Sequence, residues 1–259
     1  MIREAGGRHT PTGQTADSKA SDRPASAWLG TMLALTRPGI ERAARRLWSA
    51  DDLPVRYLGY LTAMHALVAA SVPLLERAVQ RCAQLEDPLA AMLPDWFRDR
   101  AQEERGHDDW ILEDLAAVGA PAHRVAAAVP HALVVELVGA QYYRIEHRHP
   151  VVLLGYIAVL EGNAPAPGLA ELLAARTGYP AAAFRTVREH ADLDTDHLAG
   201  LHHLLDTLPL TRRRLSEVCA CAVHTADTLT RLFDHLATAQ GKPTTVSDPE
   251  PMEEHRHVI

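Results

Sequence analysis

Apolar residues recur at intervals of three and four through nearly every segment of this chain, and almost nothing alternates. Residues 54–84, PVRYLGYLTAMHALVAASVPLLERAVQRCAQ, show the spacing most fully. No run alternates between apolar and polar within a frame of turn dipeptides, so strands are not expected. The periodicity predicts one compact all-α domain, a bundle of seven to eight helices joined by short loops. The expected helices cover residues 54–84 with a kink at Pro73, about 88–118 with Gly119 as cap, and a third piece from Pro121 or Pro130 to Pro150. They continue over 151–162, Leu169 to Thr177 with Gly178 as cap, 181–208, and from Pro209 to about 240.

The ends read differently. Residues 1–34 and 241–259 are polar and rich in Ser, Thr, Gly and Pro, so they are expected to be disordered tails around a domain at 35–240. The N-terminal segment has no apolar stretch of the kind an export signal needs, and the longest uninterrupted apolar run, 151–160, is too short to cross a bilayer. A cytoplasmic protein without a membrane partner is the expectation. A net charge of −7 with no basic stripe argues against a nucleic-acid partner and for a small-molecule substrate, with a homodimer compatible with the sequence. Three cysteines make neither a disulfide framework nor a four-thiolate metal site. Fifteen histidines, set among 33 acidic residues, leave imidazole and carboxylate as the available metal ligands.

Three motifs use them. In REHADLDTDHLAG, His190, Asp194 and His197 stand at i, i+4 and i+7, which puts all three on one helical face. A mixed-charge polar face is the plainer reading, and it suits the neighbouring Glu189, Asp192 and Asp196. In AQEERGHDDWILEDL, Glu104 and His107 form Glu-x-x-His, the pair that carboxylate-bridged diiron bundles project inward. Here the plainer reading is a charged helix surface including Glu103, with Arg100 and Glu104 as an i, i+4 ion pair. In HPVVLLGYIAVLEGNAP, Glu161 closes an apolar run, where a buried carboxylate needs a partner. Together Glu104, His107, Glu161, His190, Asp194 and His197 supply the three carboxylates and three imidazoles of a dinuclear iron site with positions open for O2 and substrate.

The order Glu-x-x-His, then HP-x4-GY-x4-EG, then His-x3-Asp-x2-His resembles the haem-oxygenase-like diiron oxidases and oxygenases. EERGHDDWILEDL, YYRIEHRHPVVLLGYIAVLEG and HADLDTDHL each resemble segments of that family, and the similarity runs from Tyr57 to Leu236. The resemblance implies a seven-helix fold related to haem oxygenase and to thiaminase-like helical proteins. It also implies two Fe(II) ions per chain with O2 as co-substrate, and N-oxygenation or oxidative C–C cleavage of a small amine- or amino-acid-like metabolite in specialised biosynthesis. One departure stands out. Many relatives carry a further carboxylate on the first core helix or two turns before the His of the second, and this chain has Arg100 at the latter position.

Outside the six ligands, Tyr142, Tyr143 and His149 are candidates to orient ligands or line the substrate pocket, or else belong to a solvated helix end before Pro150. Arg100 is a candidate contact for a substrate carboxylate, with an ion pair as the plainer role. Two other functions compete. A haem-binding protein would use His65 as its axial ligand, but would leave the inward carboxylates without a role. A metal-free thiaminase-like protein would need a nucleophilic cysteine, and the surroundings of Cys82, Cys219 and Cys221 suggest none.

Overall fold

The structure, a computed structural model, describes residues 23–238, and within them every side chain except those of residues 192–196. Helices form almost all of it, and no strand is present among the described residues. In chain order they are α1 (Ala25–Ser49), α2 (Leu53–Val68), α3 (Ser71–Cys82), α4 (Pro88–Ala91), α5 (Pro94–Glu103) and α6 (His107–Ala117). They continue as α7 (Ala122–Ala126), α8 (Ala132–His147), α9 (Leu153–Glu161), α10 (Leu169–Thr177), α11 (Arg185–Thr207) and α12 (Arg212–Thr238). Short 3₁₀ turns precede α9 (Pro150–Val152) and α11 (Ala181–Phe184).

Helical structure starts at Ala25, ten residues before the expected domain boundary. Leu29, Leu33, Ile40, Ala43 and Leu47 form one buried face of α1, which packs along α12. Pro38 lies inside this helix, where it can supply no N–H to the carbonyl one turn back. The expected kink at Pro73 is instead a break at Ala69 and Ala70, and Pro73 falls in the first turn of α3, where its missing N–H costs nothing. By length and composition alone, Leu53–Cys82 would pass for a membrane span. Its buried residues, among them Leu61, Leu67 and Leu74, belong to the packed interior of the bundle.

The helix expected over 88–118 is cut into three. Asp87 caps α4 by accepting the N–H of Leu89 at 2.9 Å, and Pro94 begins α5. Between α5 and α6, Gly106 adopts φ +86°, a left-handed conformation that favours glycine. Farther along, α10 has the expected bounds, with Gly178 at φ +72° ending it.

At the centre runs α9, buried over nearly its whole length. Gly155 lets it approach α12 closely: a Cβ there would stand 2.2 Å from the carbonyl oxygen of Val218. Two apolar clusters surround this centre. The larger involves α1, α3, α5, α8, α9, α11 and α12, and the smaller gathers Leu53, Tyr57, Leu61, Ile111, Leu115, Phe184 and their neighbours. Met64 packs against both clusters, and the cavity described next opens where they meet.

Candidate metal centre

A cavity of about 660 Å³ runs into the bundle from its edge at α1. Its wall is mainly apolar, with Ile40, Tyr60, Leu74, Ile157 and Phe233 among the lining residues. Arg37, Glu41 and Arg45 of α1 supply charge on one side, while Arg100, Glu104, Glu161 and His190 supply it on another.

Glu104 and His107 meet across a turn rather than along a helix. Glu104 is the C-cap of α5 and His107 opens α6, so the left-handed Gly106 swings the imidazole back beside the carboxylate. Oε2 of Glu104 and Nδ1 of His107 are 3.5 Å apart. Burial pushes the Glu104 carboxyl up, but His107 beside it, with His190 and Arg100 farther off, holds it below its ordinary value. His107 is buried, and its Nδ1 makes no hydrogen bond among the described residues.

His190 approaches from α11, its ring edge-on to that of His107 with centroids 5.2 Å apart. Its Nδ1 lies 2.9 Å from the carbonyl oxygen of Thr186. A carbonyl only accepts, so Nδ1 carries the proton and Nε2 keeps its lone pair, the tautomer a metal ligand needs. Burial holds His190 below its ordinary pKa, so the ring is neutral near pH 7.

Two further residues set this geometry: Asp114, not singled out in the sequence, and Trp110, which reads there as core and is partly buried beside His107. Asp114, fully buried on α6, accepts the N–H of Arg185 at 2.9 Å and of Thr186 at 3.0 Å, tying the start of α11 to the helix of His107. Trp110 stacks on His107 at 4.0 Å, and the guanidinium of Arg185 lies over the indole at 4.8 Å. Asp114 follows His107 by seven residues, a same-face spacing that the sequence does display.

Glu161, Arg100 and His197 form the other half of the site. Nη1 of Arg100 lies 3.6 Å from Glu161 and 3.1 Å from Glu103, the latter read from sequence as surface charge. His197 stands 3.9 Å from both Glu161 and Glu103, beyond hydrogen-bond distance, and burial with the nearby Arg100 charge lowers its pKa. Asp194 has its side chain outside those described. Tyr156, of the GY pair, lines the cavity with a fully buried hydroxyl, and burial raises its pKa.

Apart from Arg100, the outer candidates lie off the cavity wall. Tyr142 and Tyr143 are exposed, and the ring of Tyr143 lies tilted against that of His147 at 4.7 Å. His149 is buried and engaged elsewhere: Nδ1 accepts the N–H of Val151 at 3.0 Å, and Nε2 stands 3.1 Å from the carboxylate of Asp87, the N-cap of α4, without completing a hydrogen bond to it. His65 is buried on α2 without lining the cavity.

Among the described residues, no three ligating side chains converge closely enough to hold an ion as they stand. The donors nonetheless fit iron. Glu104, His107 and His190 form a carboxylate and two imidazoles, with a nitrogen of His107 that faces Glu104 without completing a hydrogen bond and a fixed tautomer on His190.

Three solved structures share the fold. A domain of unknown function with a haem-oxygenase-like fold from Shewanella denitrificans superposes with a TM-score of 0.69 at 16% identity, covering 83% of this chain and 93% of its own. A TenA homologue from Pseudomonas syringae follows at 0.60 and 13% identity, over 90% and 99%. A CADD-like protein of unknown function from Nostoc punctiforme gives 0.52 and 15%, over 79% and 97%. No curated protein matches significantly. The model of the iron-containing redox enzymes matches residues 54–230, and the chain belongs to that family.

Proposed function

We propose that this protein is a non-haem iron oxidase or oxygenase that uses O2 to N-oxygenate a small metabolite or to cleave one of its C–C bonds. The observation that carries the reading is a carboxylate–imidazole–imidazole set, the buried His107 with the partly buried Glu104 and His190, the latter two lining a mostly apolar cavity. Bound through these donors, ferrous iron would supply the electrons that let O2 react.

The remaining work falls to the chain. Leu74, Leu75, Leu153 and Ile157 keep water from the reacting end and accept an apolar body. That lining favours an amine or amino-acid-like substrate carrying a sizeable apolar group. Arg37, Glu41 and Arg45 offer charge to its polar end, and the buried Tyr156 hydroxyl keeps its proton available at the cavity wall. Trp110 and the Thr186 carbonyl hold the two imidazoles in orientation.

The competing readings find less support. Neither His65 nor any cysteine lines the cavity, and burial pushes the Cys82 and Cys221 thiols up to about 11, away from nucleophilic thiolate. The test is anaerobic loading with Fe(II), desalting and metal analysis, followed by O2 uptake measured against a panel of apolar amines and amino acids. Retained iron with substrate-stimulated O2 uptake is expected. A chain that retains no iron, or that takes up hemin with a Soret band instead, refutes the proposal.

A further inference from the structure

The charged residues that line the inner end of the cavity or stand behind it fall into two groups, with Glu103 on the solvent side of the second. Glu104, His107 and His190 form one, joined at 3.5 Å and by an edge-on ring contact. Glu103, Glu161 and His197 form the other, and a cation already stands among them, the guanidinium of Arg100. It is more than nine-tenths buried, with Nη1 3.1 Å from Glu103 and 3.6 Å from Glu161. Neither its Nε nor its Nη1 completes a hydrogen bond, so the guanidinium acts there chiefly as a charge. The ring of Trp96 lies 5.5 Å away on another side and adds to its attraction for the position.

From this we infer that Arg100 takes the place of a second metal ion, and that the chain binds one iron, at Glu104, His107 and His190. This deepens the iron reading above and rests on it. The reason is electrostatic. The buried carboxylate of Glu161 needs positive charge, and the arginine supplies it covalently. A divalent ion on the same Glu161 oxygen would sit against a like charge that cannot be discharged, because arginine stays protonated at any working pH. The expectation of two irons per chain is thereby replaced by one. His197 and Glu161 become part of the arginine's setting, and the first group alone supplies two imidazoles and a carboxylate with positions left open.

The full-length chain is loaded with excess Fe(II) under anaerobic conditions and desalted, and bound iron is measured against protein. The sample is then oxidised and its EPR spectrum integrated. One iron per chain is expected, with an isolated high-spin ferric signal that accounts for all of it. Arg100→Glu, checked for native helicity by circular dichroism, is expected to bind a second iron and to lose most of that signal as two ferric ions couple. Two irons in the unaltered chain, with an oxidised form silent in EPR, overturn the inference but leave the iron proposal standing. A folded Arg100→Glu that stays at one iron also overturns it, since something other than the arginine then excludes the second ion. No iron in the unaltered chain overturns the iron proposal and, with it, this one. The measurement on the unaltered chain decides stoichiometry whether or not the variant folds.

Discussion

Asp114 makes no contact with the cavity, yet the geometry of both imidazoles passes through it. Its two carboxylate oxygens each accept one backbone N–H at the start of α11, from Arg185 and Thr186, and the same Thr186 presents its carbonyl to His190. Asp114→Ala removes both acceptors and leaves two N–H groups facing a hole. A hydrogen bond to a charged group is worth about 1.5–3 kcal/mol. Against the sum stands the relief of a desolvated carboxylate, because burial is what pushes the Asp114 pKa up. A net loss of about 3 kcal/mol follows from these opposed effects, or roughly 6–12 °C in Tm at about 2–4 °C per kcal/mol for a domain of this size. Asp114→Asn keeps the shape but turns an NH2 toward one of the two donors. It loses about 1–2 kcal/mol, between the alanine variant and the parent. Urea unfolding followed by circular dichroism gives the stabilities, and anaerobic Fe(II) titration gives iron affinity for whatever remains folded. Both variants are expected to bind iron more weakly, since the register of His190 against His107 is set here. If Asp114→Ala unfolds within about 0.5 kcal/mol of the parent and binds iron equally well, the tie between α6 and α11 does not carry the site.

Glu104→Gln keeps the volume of the side chain but removes its charge, and is expected to abolish iron retention on desalting while leaving helicity intact; unchanged iron content would remove Glu104 from the ligand set. Gly155→Ala places a methyl 2.2 Å from the backbone oxygen of Val218, forcing α9 from α12, and should cost about 3 kcal/mol or prevent folding; an unshifted urea midpoint would contradict that packing. Ala44→Trp fills the cavity beside α1 and should suppress substrate-stimulated O2 uptake with iron content unchanged; normal uptake would show that substrate enters elsewhere. Burial holds His149, His190 and His197 below their ordinary value of 6.5, so the unfolded chain binds more protons than the folded one as that pH is crossed. The stability these neutral rings contribute is therefore complete above pH 6.5 and is lost as pH falls through their lowered folded values. Urea unfolding of the iron-free chain from about pH 8 to about pH 5 should show that decline, and a flat profile would mean the rings are not buried as neutral groups.

The parts of this structure that could be read from the sequence are those fixed by local rules. The bounds of α10 follow from Gly168 and Gly178, both in left-handed conformations, and the end of α9 at Glu161 follows from Gly162 and the polar loop after it. α1 was hidden because Pro38 and a polar flank resemble a tail, although Leu29, Leu33, Ile40, Ala43 and Leu47 carry a helical stripe. Glu-x-x-His points to two side chains that do stand 3.5 Å apart, but they meet across a turn and not along one helix. The role of Asp114 depends on partners far along the chain, since it caps residues 71 and 72 positions away, whereas Glu103 is exposed and pairs with Arg100 three residues before it, in keeping with a charged helix surface. No local spacing separates a carboxylate such as Asp114 from a solvated one, and only the packing of α6 against α11 does so.

That packing also explains why the two halves of the site differ in kind. Around His107 and His190 the constraints are short and directional. They are a 2.9 Å bond to a carbonyl, two N–H groups held by Asp114, and an indole stacked at 4.0 Å. Around Glu161 and His197 the neighbours stand 3.6–3.9 Å apart, held by charge without completed hydrogen bonds to Arg100 or to each other. Directional bonds fix a side chain before a ligand arrives, so the first group presents its donors at little further cost in ordering. A half held by short directional bonds around His107 and His190, beside a half in which charge balances Arg100 against Glu161, is thus the arrangement that these helices build.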